Sequence, residues 1–303
     1  MNTLTYIIEN SSGIYKLKRR WKNGIILVFY VSRMITVKRL QIMGILNVTP
    51  DSFSDGGEFH QLDNAVEHAK QMVKDGADII DVGGYSTRPG YSTRPGYTPI
   101  SIEEEIRRVV PVVEAIHELN LGVDISVDTF RSEVAKASIE AGATIINDQW
   151  RGTYDEKILE VVSEYNVPII LMHNNEHGKY DDVVEAMIAE LKESVELCKK
   201  YNIKDENIWL DPGVGFAKSR DEDIKVMKNL HKLVDLGYKV LLATSRKRMI
   251  KELIEDDRGP KDRDAGTAAT TVIGINHGVD AVRVHNVKMN RDISDVYMKL
   301  RGN

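Results

Sequence analysis

The 303-residue sequence has one cysteine, Cys198, which excludes an intramolecular disulfide and a cysteine-rich zinc site. A single cysteine is typical of proteins in a reducing compartment, so we expect a cytoplasmic location. No apolar run reaches the roughly 18 residues of a membrane-spanning helix, and no membrane partner is expected. The glycine motifs G-x-G-x-x-G and G-x-x-x-x-G-K-[ST] are also absent, which argues against the common dinucleotide and P-loop sites.

A net positive charge is confined to the N-terminal region. The chain carries 41 Lys and Arg residues against 46 Asp and Glu residues, for a formal net charge of −5. Residues 1–39 hold eight basic residues and one acid, Glu9, which leaves −12 on the other 264 residues. This acidic body argues against nucleic-acid binding through bulk charge, although it is compatible with a local basic pocket. With 42% apolar residues, the chain can bury a full hydrophobic core.

Residues 1–40 form a basic N-terminal extension that differs from the rest of the sequence. The apolar run Ile25–Val31 has the length of the shortest signal-peptide cores, and no small-residue cleavage site follows it. An added β-element and a disordered extension both fit this composition. We favour a third interpretation, in which translation begins at Met34, because the first predicted core strand begins eight residues later. Mass spectrometry of protein made from the native gene would reject it by finding residue 1 intact.

Short apolar runs alternate with amphipathic stretches from Gln41 onward. Such runs are typical of strands that are covered on both faces. The eight predicted strands are Ile42–Val48, Ala77–Val82, Val123–Val127, Ala143–Ile146, Pro168–Met172, Ile208–Leu210, Lys239–Ala243 and Ala281–Val284. The predicted helices are Asn64–Lys74, Ile102–Leu119, Ser132–Glu140, Glu156–Tyr165, Asp182–Lys200, Asp223–Leu236, Thr267–Asn276 and a last helix ending near Leu300. Eight βα units without a break in composition predict one α/β domain over residues 41–303, a (β/α)8 TIM barrel, in preference to a doubly wound sheet.

Polar side chains follow most of the predicted strands, at the barrel end where TIM-barrel enzymes have their active sites. Amides and carboxylates suit the edge of a planar heterocycle, and they occur at Asn47, Asp128, Asn147 and Asp211. Cationic groups suit a phosphate-bearing leaving group, and they occur at Lys247, Arg283 and His285. Helix capping alone does not explain so many polar strand ends. The pair His173 and His177 has metal-like spacing only in a helix, and its Asn and Gly neighbours favour a loop, so we interpret the pair as structural.

Two long motifs resemble the signatures of one enzyme family. Met43–Gly57, MGILNVTPDSFSDGG, is similar to the first signature of dihydropteroate synthases, and Ile80–Gly84 with Ser86–Gly90 is similar to the second. Shorter matches follow in the family's order, at Ser126–Thr129, Ile146–Asp148, Asp211–Phe216, Ser245–Lys247 and Arg283–His285. The resemblance covers about residues 41–300 and is that of a bacterial, Gram-positive-like member.

The resemblance implies a folate-biosynthesis transferase that condenses 6-hydroxymethyl-7,8-dihydropterin diphosphate with p-aminobenzoate, releasing 7,8-dihydropteroate and diphosphate. It also implies Mg²⁺ as cofactor, a pterin-binding barrel and a homodimer. Asp128 and Lys247 are then the expected catalytic residues. The expected contacts are Asn47 for the metal; Asp128, Asn147, Asp211 and Lys247 for the pterin; Thr87 or its counterpart Thr93, Arg283 and His285 for the diphosphate; and Phe53, Arg88, Pro89, Arg94, Pro95 and Arg248 for the pocket that takes p-aminobenzoate and sulfonamide inhibitors.

The hexapeptide Tyr85–Gly90, YSTRPG, recurs immediately as Tyr91–Gly96. No such period continues along the chain, so the copy is a duplicated loop segment and not a repeat fold. Loops tolerate added length at little entropic cost, and a neutral lengthening is one interpretation. Because the resemblance assigns this loop to the aminobenzoate pocket, we hypothesise that the copy weakens sulfonamides more than substrate. Tyr85 and Arg248 also differ from the acid and the serine that the family commonly has there.

Two other functions fit parts of this pattern. A methyltetrahydrofolate-dependent corrinoid methyltransferase domain also binds a pterin in a barrel, but it has no need of the cations at Lys247 and Arg283. A non-catalytic protein that binds pterins or sequesters drugs would not need the full set of polar strand ends. A diphosphate-release assay separates both from the expected transferase.

Overall fold

The chain divides into two compact units, Met1–Lys38 and Arg39–Asn303. In the computed structural model, the described residues are 7–11, 14–20, 26–32, 39–49, 58–85, 99–175, 178–255 and 259–301. The first unit contains a three-stranded antiparallel sheet, with β2 (Ile14–Arg20) between β1 (Ile7–Ser11) and β3 (Ile26–Ser32). A β-element is thus present within residues 1–40, while a translation start at Met34 stays a prediction.

The second unit is a closed barrel of eight parallel strands, which confirms the predicted (β/α)8 fold. Strands that are consecutive in the sequence pair side by side, and β11 pairs with β4 to close the barrel. The strands are β4 (Gln41–Asn47), β5 (Ile79–Gly83), β6 (Asp124–Asp128), β7 (Ile145–Asp148), β8 (Ile169–Met172), β9 (Ile208–Asp211), β10 (Lys239–Leu242) and β11 (Ala281–Val284). Each observed strand begins and ends within two residues of its predicted bounds.

Helices follow the strands and cover the outside of the barrel. They are α1 (Glu58–Lys74), α2 (Ile102–Glu118), α3 (Ser132–Glu140), α4 (Lys157–Glu164), α5 (Val183–Lys200), α6 (Arg220–Lys228), α7 (Leu230–Val234), α8 (Arg248–Ile254), α9 (Asp264–His277) and α10 (Val287–Leu300). Within the described residues, no helix combines the length and the apolar character needed to cross a membrane.

The prediction of one helix over Asp223–Leu236 is wrong. Ser219 and Glu222 form a capping box, so α6 begins three residues earlier than predicted. The backbone then leaves the helical conformation at Asn229, with φ −116° and ψ 17°, and a separate helix α7 follows. Helix α8 is not predicted, because its seven residues are too few to show a clear helical period.

Seven apolar side chains, one from each strand except β6, form a cluster of their own and fill the barrel interior. They are Met43, Ile79, Ile145, Ile170, Trp209, Leu241 and Ala281. A second, larger cluster lies between the strands and the helices. Because side chains alternate along a strand, a residue two positions after a member of the inner cluster again faces the barrel axis, one layer nearer the carboxyl ends of the strands.

Candidate active site

The layer immediately above the apolar cluster is polar on several strands. It contains Asp81, Asn147, Asp211 and Arg283, each two residues after a member of that cluster. Asp81, Asn147 and Asp211 are almost completely buried, and the side chain of Arg283 is 18% exposed. The structure therefore brings together three residues that the sequence analysis names, and it adds Asp81.

Arg283 connects two buried carboxylates. Its Nε donates to Asp81 Oδ2 at 2.6 Å, and its Nη2 donates to Asp128 Oδ2 at 2.7 Å. Asp81 Oδ1 also accepts a hydrogen bond from Ser126 Oγ at 2.6 Å, and Asn147 Nδ2 lies 3.4 Å from Asp81 Oδ2. Asp81 and Ser126 are absent from the expected site residues, although the alternation along β5 and β6 would have placed both inside the barrel.

Asp128, the last residue of β6, is 7% exposed. Burial raises the pKa of this carboxyl to about 7, although Arg283 and the hydrogen bond from Gln149 act in the opposite direction and Asp81 adds to the rise. Gln149 Nε2 donates to Asp128 Oδ1, so both carboxylate oxygens have a donor. The Asp128 carboxyl therefore gains or loses its proton near neutral pH, and it lies at the end of β6, where the sequence predicts a catalytic carboxylate.

Lys247 and Asp211 lie near enough in the site for the charge of each to affect the pKa of the other. Lys247 Nζ donates to the Val214 carbonyl and lies 4.7 Å from the centre of the Phe216 ring. Burial lowers the pKa of Lys247 to about 8, opposed by the nearby Asp211. Burial raises the pKa of Asp211, opposed by Lys247 and by a hydrogen bond of 2.7 Å from the Gly213 amide to Asp211 Oδ1. A lysine held in this way is suited to lose or hold a proton near neutral pH.

Lys218 is a partly buried cation that is not among the residues predicted from the sequence. Its Nζ donates to the carbonyls of Gly213 at 3.0 Å, Phe216 at 3.1 Å and His173 at 3.3 Å. Burial lowers its pKa to about 8. Lys218 thereby joins the end of β8 to the β9–α6 loop, whose Val214 carbonyl and Phe216 ring contact Lys247. No local sequence signal marks it, because one of its partners lies 45 residues away.

Gly213 is required where these two loops meet. Its φ is +65°, and a Cβ there would lie 1.9 Å from the His173 carbonyl oxygen. The His173 side chain is fully buried, with Nε2 3.3 Å from Glu190 Oε2, and burial lowers its pKa to about 2. These contacts agree with the interpretation of His173 as structural. His177 lies outside the described residues.

The ends of β10 and β11 are joined by side-chain hydrogen bonds. Ser245 Oγ lies 2.9 Å from His285 Nδ1 and accepts from the His285 amide at 3.1 Å. Arg246 forms two hydrogen bonds to Asp264, at 2.7 and 2.9 Å, which fix the segment between Ser245 and Lys247. His285 is therefore oriented on the same side of the barrel as Arg283, where the sequence predicts an anion site.

Asn47 ends β4 beside Gly83 of β5. A Cβ on Gly83 would lie 3.6 Å from Asp128 Oδ2 and 3.8 Å from Asn47 Oδ1, so the glycine leaves space between these two oxygens. Among the described residues, no group of three His, Cys, Asp or Glu side chains could enclose a metal ion. Mg²⁺ commonly binds one or two protein oxygens together with waters and substrate phosphates. One amide oxygen at the barrel mouth fits such an ion.

Of the remaining expected residues, the structure describes only Arg248, and Arg248 does not join this cluster. Arg248, the first residue of α8, has a side chain that is 79% exposed and forms an ion pair with Glu252 at 2.8 Å. It lies outside the group around Asp128, and its contact with p-aminobenzoate stays a prediction. Seven expected contacts fall outside the described residues, namely Phe53, Thr87, Arg88, Pro89, Thr93, Arg94 and Pro95.

Arg131 contacts the described residues on both sides of segment 86–98, which contains most of the duplication. Its guanidinium carbon lies 5.2 Å from the centre of the Tyr85 ring, and its Nη2 donates to the Ile100 carbonyl at 3.0 Å. Its Nη1 donates at 2.8 Å to Glu105, which is fully buried. Arg131, three residues after the end of β6, thus contacts the described residues on both sides of this segment.

The chain is similar to known proteins over most of its length. A family model described as "Pterin binding enzyme" matches residues 43–285. A dihydropteroate synthase from Staphylococcus haemolyticus is 56% identical over 252 residues, which are 83% of this chain and 91% of that protein. A dihydropteroate synthase from Clostridium difficile, crystallised in the presence of pteroic acid, matches with a TM-score of 0.82 and 44% identity over 88% of this chain and 98% of that chain. The Xanthomonas albilineans dihydropteroate synthase in complex with 7,8-dihydropteroate matches with a TM-score of 0.79 and 35% identity over 89% of this chain and 96% of that chain.

Proposed function

The chain belongs to the dihydropteroate synthases, a family of transferases in folate biosynthesis, and on this premise we propose the reaction that its residues perform. The substrates are 6-hydroxymethyl-7,8-dihydropterin diphosphate and p-aminobenzoate. The bond between the pterin methylene carbon and the diphosphate oxygen breaks, and the arylamine nitrogen forms a bond to the same carbon and loses a proton. The products are 7,8-dihydropteroate and diphosphate.

One observation supports this proposal above all others, namely the link from Arg283 to Asp81 and Asp128 in the polar layer of the barrel. Arg283 lies where two classes of group meet, namely the polar groups that suit the pterin and the cationic groups that suit the diphosphate. Carboxylates and an amide lie on β5 to β9, where Asp128, Asn147 and Asp211 suit the hydrogen-bonding edge of a pterin. Arg283 lies on β11 and His285 directly follows it, where both suit a diphosphate.

The charged side chains of the site match the charges that develop on the substrate during the reaction. As the carbon–oxygen bond lengthens, positive charge grows on the pterin methylene and negative charge grows on the diphosphate. Asp128 offsets the first without attacking the carbon, while Arg283 and His285 stabilise the second, so no covalent enzyme intermediate is needed. Asn47 would hold a Mg²⁺ ion at the barrel mouth, and the ion would supply further charge stabilisation to the leaving group.

An assay of both products tests this function. Purified protein with both substrates and Mg²⁺ is expected to form dihydropteroate and diphosphate in equal amounts, and omission of p-aminobenzoate is expected to abolish dihydropteroate. Folded protein that binds the pterin but forms no dihydropteroate would instead be the non-catalytic binder. Demethylation of methyltetrahydrofolate in the presence of a corrinoid would favour the methyltransferase.

We further propose that the second copy of YSTRPG reduces sulfonamide affinity. Sulfonamides resemble p-aminobenzoate but project additional bulk beyond the position of its carboxylate. Arg131 contacts both Tyr85 and Ile100, so the six added residues lengthen the segment between two residues that share one contact. A longer loop over the aminobenzoate pocket would exclude the additional bulk and tolerate the smaller substrate.

Deleting residues 91–96 is expected to lower the inhibition constant of a sulfonamide by about tenfold, or ~1.4 kcal/mol, with the KM for p-aminobenzoate changed by less than about threefold. The copies are identical, so removing residues 85–90 yields the same protein. A control with a Gly/Ser hexapeptide in place of residues 91–96 keeps the length and is expected to keep the wild-type constants. An unchanged ratio of inhibition constant to KM in the deletion variant contradicts the proposal.

We also propose a cytoplasmic homodimer. A cytoplasmic location is supported by Cys198, which is buried as a free thiol and needs no oxidising compartment. The dimer is supported by the exposed apolar side chains Ile273 on α9 and Val296 on α10, two helices that pack together. A solution mass of one chain at micromolar concentration, measured by light scattering, would contradict the dimer.

A further inference from the structure

Gln149 follows the last residue of β7 and faces the barrel axis. Asn147, two residues earlier, reaches Asp81 inside the barrel. Asp148 points to the other face, where its carboxylate accepts hydrogen bonds from the amides of Trp150 and Gly152. The alternation along the strand therefore returns Gln149 to the inner face, one layer above Asn147, where it contacts Asp128.

Only the nitrogen of the Gln149 side-chain amide forms a hydrogen bond among the described residues. Nε2 donates to Asp128 Oδ1, and the residue is 7% exposed. Oε1 is buried, and it accepts no hydrogen bond from any group in the part of the chain that the structure describes. A buried acceptor without a donor is destabilising, so an N–H group that arrives with a ligand would gain the full benefit of pairing with it.

Asp128 fixes which end of the amide remains available. An ionised carboxylate only accepts hydrogen bonds, and the other oxygen of Asp128 is already occupied by Arg283 Nη2 at 2.7 Å. Turning the amide over would direct Oε1 at Asp128 Oδ1, oxygen against oxygen. While Asp128 is charged, the amide therefore keeps Nε2 toward Asp128, and Oε1 remains the acceptor at its other end.

We propose that Gln149 Oε1 accepts a hydrogen bond from the reduced ring of the substrate and so selects the 7,8-dihydropterin against the fully oxidised pterin. The inference rests on the proposed function. In the 7,8-dihydropterin, N8 carries a hydrogen, whereas in the oxidised ring N8 has a lone pair. A fixed acceptor gains a hydrogen bond with the first ring and meets a second acceptor with the other. Sites built to pair a particular N–H reject analogues that lack it, because their own polar group is left buried and unpaired.

Binding of two ligands that differ only in the ring oxidation state tests the inference without turnover. The ligands are 6-hydroxymethyl-7,8-dihydropterin and 6-hydroxymethylpterin, titrated anaerobically by calorimetry at about pH 8, where Asp128 is ionised. Wild-type protein is expected to bind the reduced ligand about 10- to 100-fold more tightly. In Gln149→Met, which has similar volume and no amide, the preference is expected to fall below about threefold, mainly through weaker binding of the reduced ligand.

Gln71→Met is the matched control. Gln71 Nε2 donates to Asp75 Oδ1 at 2.9 Å on the exposed surface of α1, so the same substitution removes the same kind of Gln–Asp pair far from the barrel mouth. It is expected to keep the wild-type preference. If Gln149→Met does not fold, Gln149→Asn withdraws the acceptor by one methylene and is expected to reduce the preference in the same direction.

Three outcomes would overturn the inference, and they are distinguishable. Equal binding of the two ligands by wild-type protein means that the site does not read the oxidation state of the ring. An undiminished preference in Gln149→Met means that another group reads it. Binding of neither ligand by wild-type protein removes the proposed pterin function itself, together with this inference.

Discussion

Asp128→Asn is expected to lower kcat by about 100- to 1,000-fold, or roughly 2.7–4 kcal/mol of transition-state stabilisation, while the Kd for 6-hydroxymethyl-7,8-dihydropterin changes by less than about fivefold. The substitution keeps the shape of the side chain and one oxygen that can accept from Arg283. What it removes is the negative charge that offsets the cation on the pterin methylene. That charge acts in a buried site, where it is worth more than in water.

Asp148→Asn is a suitable control for this experiment. Asp148 neighbours the site on β7, is as deeply buried as Asp128 and points to the opposite face. Its loss of charge is expected to reduce stability and to leave kcat within about threefold of wild type. Diphosphate release at saturating substrate gives kcat, and calorimetry gives Kd. A kcat for Asp128→Asn that remains near the wild-type value would show that its charge does not assist the reaction.

The pH dependence of kcat/KM gives a second measure of the same residue. Since burial raises the pKa of Asp128 to about 7 and the ionised form is the active one, wild-type kcat/KM is expected to rise with pH through about 7. The Asn variant is expected to lack this rise. Stability changes in the opposite sense, because a carboxyl with a raised pKa binds protons more tightly in the folded state. Its contribution therefore falls as the pH increases through about 7.

The barrel and much of its site follow from local patterns in the sequence. Apolar runs define all eight strands, and a polar residue after a run marks the carboxyl end of a strand, which is how Asp128, Asn147 and Asp211 are found. These positions can be predicted because the two-residue period of a strand and the closed order of the barrel together determine which side chains meet.

Partners across the barrel are harder to predict than positions along a strand. Asp81 lies 202 residues from Arg283, and nothing near either residue indicates the pairing. Lys218 looks like a surface lysine until the His173 carbonyl, brought in from β8, completes its set of acceptors. Gln149 is polar in any interpretation, but an unpaired acceptor becomes visible only when all its neighbours are placed. These features depend on tertiary contacts and have no local signal.

Arg283→Met is expected to lower the free energy of unfolding by about 3–5 kcal/mol at about pH 8 and to abolish detectable turnover. Urea denaturation and the diphosphate-release assay measure these two effects. Asp81 and Asp128 are both buried, and Arg283 is the guanidinium that donates to both of them. Its removal leaves two carboxylates close together with little water, a larger penalty than the loss of one exposed ion pair.

The dependence of this loss on pH identifies its cause. Without the guanidinium, protonation of either carboxyl relieves the repulsion, so the folded variant binds protons more tightly than its unfolded chain. The loss of stability is therefore expected to be smaller at about pH 5 than at about pH 8. Arg283→Lys should recover part of the stability, because one ammonium cannot reproduce the two-sided geometry of the guanidinium. A loss that is independent of pH would mean that packing around the Arg283 stem, and not charge, explains the result.

A second partly buried arginine separates catalysis from stability. Arg151 Nη2 lies 3.1 Å from Glu190 Oε2, and its Nε donates to the Asn174 carbonyl at 3.1 Å. Arg151→Met is also expected to destabilise the fold, by about 2–4 kcal/mol, because it leaves Glu190 without its cation. At a temperature where both variants are folded, Arg151→Met should retain turnover and Arg283→Met should not. Equal turnover in the two variants would mean that Arg283 holds the barrel together but takes no part in the departure of diphosphate.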